Sequence, residues 1–381
     1  MFAQIYTVLA IVLTVGYAAL MLRYLRSWQC LPAFEPPADH HIRTGITVLI
    51  PARNEAENIG ALLGDLAAQQ RIAPDLLQVI VLDDHSSDAT PNIVRAHPRA
   101  ELLRLADFPT ITTQNSFKKA AIELGIDHAR HPLIVGTDAD CRVPPNWLYL
   151  LGAFYEIHQP VFIAAPVNFH RERNFLQHFQ SLDFIGMMGI TGAGIHGRYL
   201  HMCNGANLAY EKAAFHEVGG FLGIDHLASG DDMLLLQKMA ARYPDRIGYL
   251  KNVNATVRTE AKPDWKSFVA QRRRWASKSS GYQEVRVTVM LAWVFIFCWG
   301  LVITAPLVLL DYVAWPVLVV LLAIKLLVDW LLLSTMAHWF YRRELLRYFL
   351  PAQIMHIVYI AWVGLLGALP GKYEWKGRRV R

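Results

Sequence analysis

The chain has 381 residues, of which 54% are hydrophobic, and a formal net charge of +6. That length accommodates one domain of about 200 to 250 residues plus further segments, and the apolar content excludes a chain that is soluble throughout. The charge calls for no nucleic-acid partner, because many basic residues flank apolar segments where anionic lipid headgroups attract them; Cys30, Cys141, Cys203 and Cys298 lack the spacing of a disulfide framework or a metal site and fit a reducing compartment.

Residues 2–22 carry no charged side chain and are long enough to cross a bilayer. No basic region precedes them and no small-residue cleavage site follows, so an uncleaved anchor over 1–26 is expected. Arg23 and Arg26 come next, which places the large polar domain in the cytoplasm by the positive-inside tendency. Residues 27–45, rich in Pro and His, read as a linker.

A strand is predicted at 47–52, apolar without alternation, as in a strand covered on both faces. It ends in Arg53, Asn54 and Glu55. A helix over about 57–69 follows, with Ile59, Leu62, Leu63 and Leu66 on one face. The next strand, 79–82, runs into Asp83 and Asp84; a helix begins near Thr90, a strand is predicted at 102–105, and a helix over 117–128 carries Lys118 and Lys119 in its first turn. Another apolar run, from 134, stops at Asp138 and Asp140. Strands alternating with helices predict a parallel sheet with right-handed crossovers. The clusters at 53–55, 83–88 and 138–140 then all fall at one edge of that sheet, where such sheets bind ligands. Two carboxylates one residue apart repel unless a cation lies beside them, and hard oxygens with room left for phosphate suit Mg²⁺ or Mn²⁺. In isolation such a pair is more often a turn with solvated carboxylates; the convergence of three clusters favours a metal-bound diphosphate.

Residues 175–199 read as an amphipathic helix against the membrane or the core, with Phe175, Phe179 and Leu182 at helical spacing. The G-x-G-x-x-G at 192–197 has no preceding strand and no acid at dinucleotide spacing, so a flexible loop near the acceptor is expected there. Over 263–281, Trp265, Phe268 and Val269 interleave with basic residues, which suits a helix in the headgroup layer, and Arg272, Arg273 and Lys278 read as plain juxtamembrane charges. Residues 287–310 and 349–369 are uncharged spans; 312–340 is a further one, in which Lys325 and Asp329 lie one turn apart and can pair inside a bundle. Three full crossings would put Lys372, Lys376, Arg378, Arg379 and Arg381 outside, against the positive-inside tendency. The segment 349–369, interrupted by Gly364, Gly367 and the following Pro370, is therefore expected to re-enter on one side.

The motifs at 51–55 and 83–90, Lys118, Asp138 with Asp140, the runs at 204–210 and 219–221, Asp231 with Asp232, and Gln271, Arg274 and Trp275 in a Q-x-x-R-W pattern resemble, in order and spacing, those of family-2 glycosyltransferases. The resemblance covers roughly 46–275. It implies an α/β class chain: a GT-A domain with a Rossmann-like, mostly parallel sheet over 46–262, an amphipathic interfacial helix at 263–286, transmembrane or re-entrant helices at 287–371, and a basic tail at 372–381. By the same resemblance, Pro51, Arg53, Glu55, Asp83 and Asp84 bind the nucleoside, Lys118 and Asp138 the diphosphate, and Asp140 with Asp138 an Mg²⁺ or Mn²⁺ ion. Asp232 is the implied base opposite the leaving group, giving inversion. Asp231, shorter than the usual Glu, would orient it, with Gln271, Arg274 and Trp275 at the leaving-group and acceptor side. The expected donor is a UDP-sugar and the expected acceptor a lipid hydroxyl in a bacterial inner membrane. Three C-terminal segments are too few for a polysaccharide channel, so the likeness is closer to ceramide, hopanoid and carotenoid glycosyltransferases than to cellulose or hyaluronan synthases. A processive synthase is the second reading. A membrane-tethered scaffold without catalysis is the third, disfavoured by the intact acids.

Overall fold

In a computed structural model, which describes residues 1–108, 117–225, 227, 230–276, 281–282, 284–368, 373–375 and 378–380, the chain divides into two units. A helical unit comprises Met1–Leu31, Arg171–Leu200 and Ala261–Pro370; a sheet unit comprises Pro32–His170, His201–Glu260 and Gly371–Arg381. In chain order the elements are α1 (Phe2–Cys30), β1 (Ile46–Ala52), α2 (Ile59–Ala67), β2 (Leu77–Asp83), α3 (Thr90–Ala96), β3 (Glu101–Arg104), α4 (Phe117–His128) and β4 (Leu133–Gly136). There follow α5 (Trp147–His158), β5 (Phe162–Ala164), β6 (Val167–His170), α6 (Phe175–His196), β7 (Leu208–Glu211), α7 (Lys212–Glu217), α8 (Met233–Arg242), β8 (Ile247–Tyr249) and β9 (Val257–Glu260). The last are α9 (Trp265–Ala276), α10 (Val285–Leu309), α11 (Trp315–Trp339), α12 (Phe349–Ala368), β10 (Tyr373–Trp375) and β11 (Arg378–Val380).

The main sheet of the sheet unit runs β3-β2-β1-β4-β7-β5-β8. Its first four strands are parallel, as the alternation of strand and helix predicts. Burial on both faces explains why β1 and β2 lack a two-residue period: six of seven positions in each are buried. On α2, Ile59, Leu62, Leu63 and Leu66 form one buried stripe, each fully buried aliphatic side chain contributing about 1.5–3 kcal/mol. β7 departs from the simple parallel pattern: it lies antiparallel between β4 and β5. The register pairs Ala52 with Asp83, so the loops after β1 and β2 leave the sheet side by side.

Among the described residues of the helical unit, four helices are long and apolar enough to cross a membrane, over Ala3–Cys30, Val285–Leu309, Trp315–Trp339 and Arg343–Leu365. Lys325 and Asp329 pair as their spacing suggests: Lys325 Nζ donates to Asp329 Oδ2 at 2.5 Å and to Gln353 Oε1 at 2.5 Å, and the Tyr17 hydroxyl donates to Asp329 Oδ1 at 2.6 Å. Three expectations are corrected here. Residues 192–196 are the last turns of α6 and not a flexible loop; the absent side chain of Gly194 lets Leu200 fold back on the helix, since a Cβ there would lie 2.6 Å from that of Leu200. Gly364 and Gly367 lie within an unbroken α12, so the interruption expected at them is absent; Pro370 lies outside the described residues. Arg272 is no solvated juxtamembrane charge: it is 1% exposed, 3.2 Å from Asp183 of α6, with its guanidinium 4.3 Å over the Trp275 ring and 5.2 Å over that of Phe268. Lys278 lies outside the described residues.

Candidate active site

The sheet unit gathers the first two motifs through the register of β1 and β2. Asn54 and His85, at φ 53° and 55°, turn their loops through the left-handed region, which Asn and His enter more readily than most residues. The loops are then laced together. The N–H of Asn54 donates to Ser86 Oγ at 3.0 Å, that of Glu55 to Thr90 Oγ1 at 2.8 Å, that of Ala56 to Asp88 Oδ2 at 3.0 Å, and that of Ser87 to Asn54 Oδ1 at 2.8 Å. Arg53 Nη1 donates to the Asp84 carbonyl at 2.8 Å, and the Asp84 carboxylate meets His85 Nδ1 at 3.0 Å. Asp83 is fully buried; its Oδ1 accepts from the Ser86 N–H at 3.3 Å and Arg104 Nε stands 3.8 Å from its Oδ2. The Glu55 carboxylate accepts from Asn58 Nδ2 at 2.9 Å.

A second group meets at the edge of β4. Lys118, in the first turn of α4, places its ammonium 3.0 Å from Asp138 Oδ1 and 3.1 Å from Asp231 Oδ2. Asp232 caps α8, its Oδ1 accepting from the Met233 N–H at 2.7 Å and its Oδ2 from the Gly205 N–H at 3.1 Å. Pro51, Lys118, Asp138, Gly205, Tyr210 and Asp231 line one pocket. Burial pulls the Lys118 pKa down, but Asp138, Asp231 and Asp232 outweigh it and hold the ammonium charged. Burial, then Asp231, pushes the Tyr210 phenol up, so it stays protonated.

Asp138 and Asp140 sit in a turn closed by the Cys141 N–H donating to the Asp138 carbonyl at 3.2 Å. Ala139 and Cys141 are buried while Asp140 is exposed. Burial and the charge of Asp140 push the Cys141 thiol up, so it stays protonated. Among the described residues no three His, Cys, Asp or Glu side chains are grouped to hold a metal ion. Carboxylates such as those of Asp138 and Asp140 are hard oxygen donors, the chemistry that suits Mg²⁺ or Mn²⁺ completed by phosphate oxygens and water better than it suits zinc.

Gln271, Arg274 and Trp275 lie on α9 of the helical unit, where Gln271 Oε1 is buried without a hydrogen-bond partner among the described residues. Asn207, within the run at 204–210, is a brace: fully buried, it donates to the carbonyls of Pro166 and Ala255 and accepts from Trp147 Nε1. The bridging of Lys118 between Asp138 and Asp231 is absent from the sequence reading. Only the turn of α4 against the β4 edge reveals it.

Residues 47–219 match the family described as Glycosyl transferase family 2. The chain is 33% identical over 153 residues to a dodecaprenyl-phosphate galacturonate synthase of Rhizobium johnstonii, covering 40% of this chain and 44% of that protein. It is 28% identical over 153 residues to an undecaprenyl-phosphate 4-deoxy-4-formamido-L-arabinose transferase of Pseudomonas fluorescens, covering 39% and 43%. The chain thus spans less than half the length of these curated relatives. A solved structure of a mannosyltransferase from Pyrobaculum calidifontis, in complex with GDP-Man and Mn²⁺, superposes with a TM-score of 0.60 at 19% identity, covering 92% of this chain and 99% of that one. At that identity the likeness is one of fold, and it extends over both units of the chain.

Proposed function

We propose that this chain, in which residues 47–219 form a family 2 glycosyltransferase domain on a GT-A sheet, transfers a sugar from a nucleotide sugar, expected to be a UDP-sugar, to a membrane lipid, with inversion at the anomeric carbon. The observation that carries the reading is the meeting of Lys118, Asp138 and Asp231 at one pocket, with Asp232 bonded to Gly205 of its lining. One ammonium among three acids leaves the cluster net negative, so a diphosphate would be taken there together with a divalent cation. Pro51, Arg53, Glu55, Asp83 and Asp84 form the nucleoside side. Lys118 neutralises the leaving diphosphate. Asp232, oriented by two backbone N–H groups, takes the proton of an acceptor hydroxyl as its oxygen attacks the anomeric carbon and the bond to the diphosphate breaks. Asp140, with Asp138, would hold an Mg²⁺ or Mn²⁺ ion that supplies further charge neutralisation.

The four apolar helices support a lipid acceptor in a membrane, read here as a bacterial inner membrane with the sheet unit in the cytoplasm. The two relatives carry polyprenyl phosphates in their names, which makes a lipid phosphate the second acceptor to test. A phosphate is already ionised and needs no base, so Asp232 discriminates the two. Purified enzyme, radiolabelled UDP-sugars, either metal and host lipid extract should give one labelled lipid. A ladder of products would instead mean a polysaccharide synthase, and no turnover of any nucleotide sugar a tethered binder. With a hydroxyl acceptor, Asp232→Asn should cut transfer by about 100-fold or more and spare UDP binding, whereas Asp140→Asn should weaken UDP binding only when metal is present.

A further inference from the structure

Arg142, two residues beyond Asp140, is held on three sides within the sheet unit. Its guanidinium makes a parallel fork with Asp65 of α2, Nε donating to Oδ2 at 2.6 Å and Nη2 to Oδ1 at 2.7 Å. The same carboxylate accepts from the Val143 N–H at 3.2 Å. The main chain of Arg142 bridges Arg258 of β9 in both directions, its N–H donating at 2.7 Å and its carbonyl accepting at 2.9 Å. Upstream, the turn that presents Asp138 and Asp140 is closed by the Cys141 N–H donating to the Asp138 carbonyl. Residue 142 follows directly and anchors the downstream end of that turn to α2 and β9.

A solvated ion pair is the plain alternative, and the exposures allow it: 42% for the Arg142 side chain and 18% for Asp65. Pairs of that kind add little to folding stability. A two-point fork adds direction as well as energy, which a single contact does not, and partners behind metal-binding carboxylates act through such placement. We propose that Asp65 and Arg142 are positioning residues that fix the turn from Asp138 to Asp140 in the geometry with which its carboxylates hold a metal-bound diphosphate. This rests on the metal-dependent reading above; neither residue is assigned contact with the substrate.

The fold supplies its own control. Arg246 and Glu211 form an ion pair at 2.8 Å with side-chain exposures of 43% and 18%, and neither adjoins the D-x-D turn. Full-length protein in detergent would be titrated with MnCl₂ at fixed UDP, following UDP binding by calorimetry and bound Mn²⁺ by its paramagnetic resonance, alongside thermal midpoints. Arg142→Gln and Asp65→Asn should raise the Mn²⁺ midpoint about tenfold, leave metal-free UDP binding unchanged, and shift the thermal midpoint no more than Arg246→Gln does. Arg142→Lys, a milder change that keeps the charge but loses the fork, should resemble Arg142→Gln. Mn²⁺ midpoints within twofold of the wild type in folded Arg142→Lys or Asp65→Asn overturn the proposal. Wild-type UDP binding that is indifferent to Mn²⁺ overturns the metal reading itself, and the proposal with it, a result visible before any variant is made.

Discussion

Lys118 is the cation about which the acids of the pocket are arranged, and its contribution has a definite sign. Asp138, Asp231 and Asp232 raise its pKa above the unfolded value of about 10.4, so the stability it adds is complete below that value and is lost only as pH rises through the still higher folded value. Between pH 6 and 9 neither stability nor nucleotide affinity should follow its titration. Lys118→Met leaves Asp138 and Asp231 facing each other and should weaken UDP binding about tenfold or more by calorimetry, with Lys118→Arg recovering part. Asp88 behaves in the opposite sense. A little desolvation works against it, but bonds from Thr90 and Ala56 hold its pKa below the usual value. Its pinning of the loops after β1 and β2 is present above the unfolded pKa of about 3.9 and fades as pH falls through the folded one. Protection factors of the Ala56 and Thr90 amides, taken against their intrinsic rates at each pH, should therefore stay high at neutral pH and fall only in acid, while Asp88→Asn should lower them at pH 7.

Among the elements, α9 separates what a sequence discloses from what it conceals. Its helical period, its basic face and its Q-x-x-R-W spacing are all local, and so are the stripe of α2, the limits of α4 and the acids that end β2 and β4. Arg272 looks like its neighbours Arg273 and Arg274 until Asp183, on a helix nearly ninety positions earlier, supplies the countercharge. The same holds for β7, whose place between β4 and β5 is a matter of tertiary pairing, and for Arg142, whose partner is on α2. Burial pushes the Asp183 pKa up despite the adjoining guanidinium. Arg272→Met would leave that carboxylate buried without its partner and should cost about 3–5 kcal/mol, read as a lower thermal midpoint in detergent. The double variant Arg272→Met, Asp183→Leu should regain most of the loss, because an apolar pair carries no desolvation penalty.

At the scale of the whole molecule, the cluster of Tyr17, Lys325, Asp329 and Gln353 joins α1, α11 and α12, and ionisable groups so placed must be mutually satisfied for a bundle to tolerate them. The tail groups with the sheet unit, its described residues pairing as β10 and β11. Together with its basic residues, this predicts that a cysteine appended after Arg381 is labelled from the cytoplasmic side of sealed vesicles. Labelling from the opposite face would mean that α12 crosses completely. The antiparallel strand β7 has a consequence for biogenesis. It closes the exposed flank of β4, yet it leaves the ribosome some seventy residues later, after α6 has been made for the other unit. At about 5–20 residues per second, a nascent chain carries an open Leu-Ile-Val edge for roughly ten seconds, a template for pairing with other chains. Chaperone dependence should accordingly peak in that interval, and fragments truncated between residues 136 and 208 should aggregate although half of their sheet is complete.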